Sequence, residues 1–306
     1  MKGLELSRAL FLEELRPRLE REASELLPLL AAGLVGEGSE CFGYDDERSR
    51  DHDWGAGLCL WLPDDAPEAA EKQLEALLGR LPERFRGEPL RLHAPGRTGV
   101  FRVGAFYRGL IGRADAPETA DDWLAIAEPS LAAATNGAVF YDGAGVFSAV
   151  RSGLLAHYPE DVRRFRLAGS AALAGQTGQY NYVRCLLRGD AAAAQVIRGR
   201  FLENAAALVF LLNRRYRPFY KWTFRALRAL PILGIETADA AEKLASLPDG
   251  REAADTIEAI SAGIVSELRR QGLSASGSDF LMDHVGALLG GVEDEALRSR
   301  GVSLVF

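Results

Sequence analysis

The 306-residue chain is 48% apolar with a net charge of −7, a soluble globular composition long enough for one large domain or two ordinary ones. The acidic balance excludes a surface given over entirely to nucleic acid, which needs clustered cations, although a local basic patch stays open. Three widely spaced cysteines, Cys41, Cys59 and Cys185, form neither a disulfide framework nor a short-spaced zinc pattern and fit a reducing, cytoplasmic setting.

From Leu6 to Leu30 apolar residues recur at helical spacing (Leu12, Leu15, Leu19, Leu26, Leu30), which predicts a long amphipathic helix bent at Pro17. Its start mixes Glu, Arg and Leu without an uninterrupted apolar run, so no signal peptide or membrane span is expected there. Ala31–Val35 reads as a short buried strand, Gly36 to Arg50 as a polar loop holding at most a short helix, and Trp54–Leu62 as a strand ended by Pro63-Asp64-Asp65. Pro67 to Leu81 has helical period. Leu90–His93 and Val100–Phe106 read as strands around a Pro95-Gly96 turn. A helical stretch holding Trp123 and Leu131 leads to a strand, Gly137–Tyr141, closed by Asp142-Gly143.

From about Pro159 the texture becomes alanine, leucine and arginine at helical period, broken at Gly189-Asp190, Pro218, Pro231, Pro248-Asp249-Gly250 and Gly272. The longest apolar run, Ala205–Leu212, is too short to cross a bilayer. The fold expected is therefore α/β (α+β): an N-terminal domain with a short mixed sheet, residues 1–155, followed by an all-helical bundle, residues 156–306.

One constellation carries chemistry. Val35-Gly36-Glu37-Gly38-Ser39 precedes Asp51-His52-Asp53-Trp54 by eleven residues. On a strand, residues two apart share a face, so Asp51 and Asp53 would present paired carboxylates. Such a pair repels itself unless a cation lies between, and magnesium takes one or two carboxylates together with substrate phosphates. Gly38 and Ser39 would supply a tight turn, backbone N–H groups and a hydroxyl for phosphate, at the start of a short helix near Glu40–Gly43. The blander alternative is an ordinary turn, with two acids opening a strand and facing solvent.

Glycine-serine, a gap of about ten residues and Asp-x-Asp entering a strand resembles the signature of polymerase-β-like nucleotidyltransferases, in particular the minimal and aminoglycoside-modifying branches. The longer string Gly38-Ser39-Glu40, Gly43-Tyr44-Asp45-Asp46, Ser49, Asp51-His52-Asp53-Trp54-Gly55 is similar to an uncharacterised bacterial nucleotidyltransferase-like family. The resemblance implies that Asp51 and Asp53 bind the metal bridging nucleotide phosphates and that Gly38 and Ser39 contact those phosphates. The superfamily commonly carries a third carboxylate on a later strand, yet residues 89–114 contain no Asp or Glu. Glu88, His93 and Asp142 are the available substitutes, Asp142 also reading as turn chemistry.

Further along, Asn213-Arg214-Arg215-Tyr216-Arg217-Pro218-Phe219-Tyr220-Lys221-Trp222 clusters cations where one helix ends and another begins. An Asn-x-x-Tyr-x-Pro-x-x-Lys-Trp string resembles what small nucleotidyltransferases place over the nucleotide, which implies that Lys221 neutralises triphosphate charge. A solvated basic helix face is the alternative. Tyr180, Arg184 and Arg188 fall at helical spacing four and are weighed equally as a cleft lining or as packing and surface pairing. Arg151 and His157 match a loose ribonuclease spacing and read as structural.

The function expected is transfer of a nucleoside monophosphate from a triphosphate, ATP being the expected one, to an acceptor hydroxyl on a small molecule or protein. Mg²⁺ or Mn²⁺ is the expected cofactor. A long nucleic acid and a membrane are not expected partners; a tRNA end stays open. The alternatives are a nucleotide-binding sensor or scaffold without turnover, and a protein-modifying enzyme of toxin–antitoxin type.

Overall fold

The computed structural model describes residues 1–51 and 54–302, with backbone only at 50 and 51. The chain separates into two compact units: residues 1–118 with 130–156, and residues 119–129 with 157–306.

Among the described residues of the first unit, the strands are β1 (Ala31–Leu34), β2 (Cys59–Leu62), β3 (Arg84–Phe85), β4 (Glu88–Pro89), β5 (Gly99–Arg102) and β6 (Ala138–Asp142). Four of them form a mixed sheet in the order β5-β2-β1-β6, parallel only between β2 and β5, while β3 and β4 form a separate antiparallel ribbon. Alternation along β2 sorts its side chains to two buried faces. Leu60 and Leu62 join the cluster made by Leu6, Leu10, Phe11, Leu15 and Leu19 of the N-terminal helices. Trp61 stacks on Phe147 at 3.8 Å and meets Phe106 edge-on. A strand covered on both faces reads as an unbroken apolar run, as Cys59–Leu62 does.

The N-terminal helix stops at Glu22 instead of reaching Leu30, and its irregularity lies at Phe11–Leu15, a wide π turn, rather than after Pro17. Proline has no N–H to give to residue 13, and the widened turn before it absorbs its ring. Leu26 and Leu30 are buried all the same, beyond the helix.

Three expected strands are corrected. The predicted strand from Trp54 is regular only from Cys59; Ala56 makes an isolated parallel bridge with Leu90. Of Leu90–His93, Leu90 alone joins that bridge, and residues 91–98 form a loop. Val100–Phe106 splits into β5 and a helix, Val103–Ile111, because the Asp64 carboxylate accepts the Gly104 N–H at 3.0 Å, giving the first helical turn its cap. Arg102 fixes the junction by donating to the Pro63 and Ala66 carbonyls and pairing with Glu71 at 3.0 Å.

Beyond Ala156 every regular element among the described residues is helical. The core of this second unit forms around Ala191–Leu212 and Glu160–Ala174, with Phe201, Leu208, Ala171 and Tyr182 among its most buried side chains. Among the described residues no helix is long and apolar enough to cross a membrane.

A candidate phosphate loop and its surroundings

The loop leaving β1 is held by side chains distant in sequence. Gly36, at φ +138°, a backbone conformation that favours glycine, donates its N–H to Asn136 Oδ1 at 3.0 Å, and its carbonyl accepts from Asn136 Nδ2 at 2.5 Å. Asn136 thus acts as a strand partner made from one side chain. Next to it the Gly137 N–H reaches the Cys41 carbonyl at 2.7 Å.

From Gly38 the chain makes successive turns. Cys41 N–H donates to Gly38 O (3.0 Å), Gly43 N–H to Glu40 O (3.1 Å) and Tyr44 N–H to Ser39 O (2.8 Å). These are turns rather than the short helix expected at Glu40–Gly43. Glu40 folds back over Gly38, where an added Cβ would collide with both carboxylate oxygens. Its Oε1 pairs with Arg97 at 3.0 Å and its Oε2 accepts from the Ser39 hydroxyl at 3.4 Å. An anionic group therefore lies against Gly38-Ser39 with a cation beside it.

The acids that follow have separate tasks. Asp45 is buried and accepts the Gly3 N–H at 2.8 Å and the Trp54 indole N–H at 3.2 Å, with Lys2 nearby at 3.9 Å. It ties the N-terminus to the far end of the loop. Asp46 and Ser49 exchange hydrogen bonds, Ser49 N–H to Asp46 Oδ1 at 3.1 Å and Asp46 N–H to Ser49 Oγ at 3.2 Å. That exchange starts a 3-10 helix, Arg48–Asp51. Asp51 therefore ends a helical turn and does not stand on a strand, and strand alternation is not what would bring it beside Asp53. Asp53 and His52 lie outside the described residues. Among the described residues no three His, Cys, Asp or Glu side chains gather as a metal site.

Of the candidates for a third acid, Asp142 spends both oxygens on the helix that follows, accepting from the Gly145 and Ser148 N–H groups at 2.8 Å each. Glu88 pairs with Phe85 in the β3–β4 ribbon, and His93 is exposed in the 91–98 loop rather than within a strand. Arg97, His93 and Leu90 line an open groove of about 630 Å³ on this unit. The Cys59 thiol donates to the Arg97 carbonyl at 3.0 Å, and burial pushes its pKa up to about 12, which makes it a structural thiol.

In the second unit Tyr180 and Arg184 are both exposed, the guanidinium lying 5.0 Å from the ring centroid. Tyr180 belongs to a π-helical stretch, Gly175–Tyr182. Lys221 is exposed on the helix Tyr220–Leu227, its Nζ 5.0 Å from the Trp222 ring. Its neighbours are occupied structurally. Asn213 pins the end of Ala191–Leu212 to Ile232, donating to the Ile232 carbonyl at 2.9 Å and accepting its N–H at 3.0 Å. Arg214 pairs with Glu160 at 2.7 Å and Arg217 with buried Glu128 at 3.4 Å. Tyr216 stacks on His157 at 4.7 Å. Burial, reinforced by Arg214, holds the His157 pKa down at about 3, so its ring is neutral. In the first unit Arg151 caps a helix end by donating to the Thr135 and Asn136 carbonyls at 2.7 Å each.

The class this defines is a mixed α/β chain with a small four-stranded sheet, a glycine-rich anion-holding loop after its first strand, and a helical second unit. Residues 123–223, roughly one third of the chain, match a domain of unknown function, DUF4037. The chain is also similar to a nucleotidyltransferase-like protein from Exiguobacterium sibiricum 255-15 of known structure, with 14% identity and a TM-score of 0.37 over 84% of this chain and 75% of that one. No curated protein matches the sequence.

Proposed function

We propose that this chain is a nucleotidyltransferase that moves the nucleoside monophosphate of a triphosphate, ATP in the first instance, to a hydroxyl on a small molecule or protein and releases pyrophosphate. The observation that carries the reading is the loop at Gly38-Ser39, where a carboxylate already rests against a glycine and a serine hydroxyl with Arg97 at 3.0 Å. A loop that accommodates two anionic oxygens is chemically suited to phosphate.

Asp51 and Asp53 are the oxygen donors proposed for Mg²⁺ or Mn²⁺, a hard cation that neutralises charge on the transferred phosphoryl group. Gly38 and Ser39 are assigned to the phosphates. Lys221, Arg184 and Tyr180 are the second unit's candidate nucleotide contacts, a point cation suited to phosphate and a ring already stacked with a guanidinium. A binding protein without turnover is the second reading, favoured by Asp142, which is committed to capping a helix.

Incubation with α-phosphate-labelled ATP, Mg²⁺ and a panel of acceptor alcohols and proteins tests the proposal. Metal-dependent pyrophosphate release, lost in Asp51→Asn and Asp53→Asn, supports transfer. Metal-dependent nucleotide binding with no release from any acceptor supports the sensor.

A further inference from the structure

Resting on the nucleotide reading above, we propose that Arg97 is a phosphate-binding residue which Glu40, acting as an internal anion, holds until the nucleotide takes its place. Glu40 presents two oxygens on a planar anionic group at Gly38, one toward the Ser39 hydroxyl at 3.4 Å and the other toward Arg97 at 3.0 Å. Two non-bridging oxygens of a phosphate offer the same pair of acceptors, and an arginine fork accepts either partner.

The scaffold fixes the arginine's backbone, and its side chain keeps partial contact with solvent. The Arg97 N–H bonds to Ala94 O at 2.9 Å, its carbonyl accepts from the Cys59 thiol at 3.0 Å, and neighbouring Thr98 donates to Arg91 O at 2.5 Å. The Arg97 side chain keeps 36% of its exposure, against 14% for Glu40. Arg97 also belongs to two walls at once, that of the narrow cleft shared with Glu40, Gly55 and Gly57 and that of the open groove of about 630 Å³. A ligand entering from the groove therefore meets this cation.

Exchange is favoured by charge. The pair is open to solvent on its arginine side, and a triphosphate brings several negative charges where Glu40 contributes one. Glu40 in place also repels an incoming phosphate. Neutralising Glu40 must then tighten nucleotide binding and removing Arg97 must weaken it, whereas a merely structural ion pair would lose stability in both variants and affinity in neither.

The test is the fluorescence anisotropy of a ribose-labelled ATP analogue with Mg²⁺ on the full chain, comparing wild type, Glu40→Gln, Arg97→Ala and Arg97→Lys, each first checked for a native circular dichroism melt. Glu40→Gln is expected to bind roughly two- to fivefold tighter, the scale of one partly exposed charge contact, and Arg97→Ala roughly tenfold weaker, the scale of a lost charge-assisted hydrogen bond, with Arg97→Lys between it and wild type. Arg97→Lys also serves should the alanine variant not fold. Wild-type binding combined with weaker or unchanged binding in Glu40→Gln overturns the proposal and leaves the nucleotide reading standing. No binding by any variant removes that reading, and this inference with it.

Discussion

Asn136 closes both polar groups of Gly36 with one side chain, and replacing it with alanine exposes what that arrangement is worth. The variant loses two hydrogen bonds, at 3.0 and 2.5 Å, each worth about 1 kcal/mol net. It also strands the N–H and C=O of Gly36, a buried residue, at about 1–3 kcal/mol for an unmet buried group. These are two measures of one loss rather than a sum, and because both bonds are partly solvent-accessible the loss is about 2–3 kcal/mol. With an m-value of roughly 2 kcal/mol/M that lowers the urea midpoint by about 1–1.5 M. Asn136→Asp discriminates further. It keeps the acceptor for the Gly36 N–H but turns a second oxygen toward the Gly36 carbonyl, so its loss at pH 7 should equal or exceed that of alanine and shrink at pH values where the carboxyl is protonated. A urea titration followed by tryptophan fluorescence reads both variants. A midpoint change below about 0.3 M for Asn136→Ala, or Asn136→Asp as stable as wild type at pH 7, would refute the reasoning.

Asp45→Asn keeps one acceptor oxygen but removes the charge shared by Gly3 N–H, Trp54 and Lys2. It should cost about 1–3 kcal/mol in the same urea assay and shift the tryptophan emission to the red as Trp54 loosens. His157, with a folded pKa near 3 against an ordinary imidazole's 6.5, binds fewer protons folded than unfolded between those values. Stability is therefore full above about pH 6.5 and falls as pH drops toward 3. His157→Phe, which keeps a ring against Tyr216, should flatten that limb of a stability-versus-pH curve. Among the thiols, burial raises the pKa of both Cys41 and Cys59, whereas Cys185 is partly exposed. A disulfide reagent at pH 8 should thus label one thiol quickly in the native chain and three in urea.

Much of this was legible in the chain because the signals were local. Apolar runs at 31–34 and 59–62 mark buried strands, and Asp142-Gly143 marks a turn whose aspartate then caps a helix. What the sequence concealed is set by distant partners. Val103–Phe106 has the β-branched and aromatic look of a strand, but Asp64, some forty residues away, caps Gly104 and starts a helix. Asp45 looks like one more acid in a polar loop until Gly3 and Trp54 converge on it. The helical turn ending at Asp51 did have a signal: Asp46-x-x-Ser49 is a side-chain-to-backbone exchange pattern that opens helices. Arg97, with no acid near it in sequence, gave no sign of pairing with Glu40 beside Gly38-Ser39. The excursion of residues 119–129 into the second unit was equally hidden, since the helical period across it does not say which core it joins.

The proposed nucleotide site is metal-dependent and built from Gly38, Ser39, Asp51 and Asp53. Isothermal titration of ATP into the full chain, with Mg²⁺ and then with the metal chelated, tests it most directly when repeated on the Asp51→Asn, Asp53→Asn double variant. Saturable binding by the wild type only with metal present, and loss of that binding in the double variant, is the expected result. Full metal-dependent binding by the double variant would contradict it.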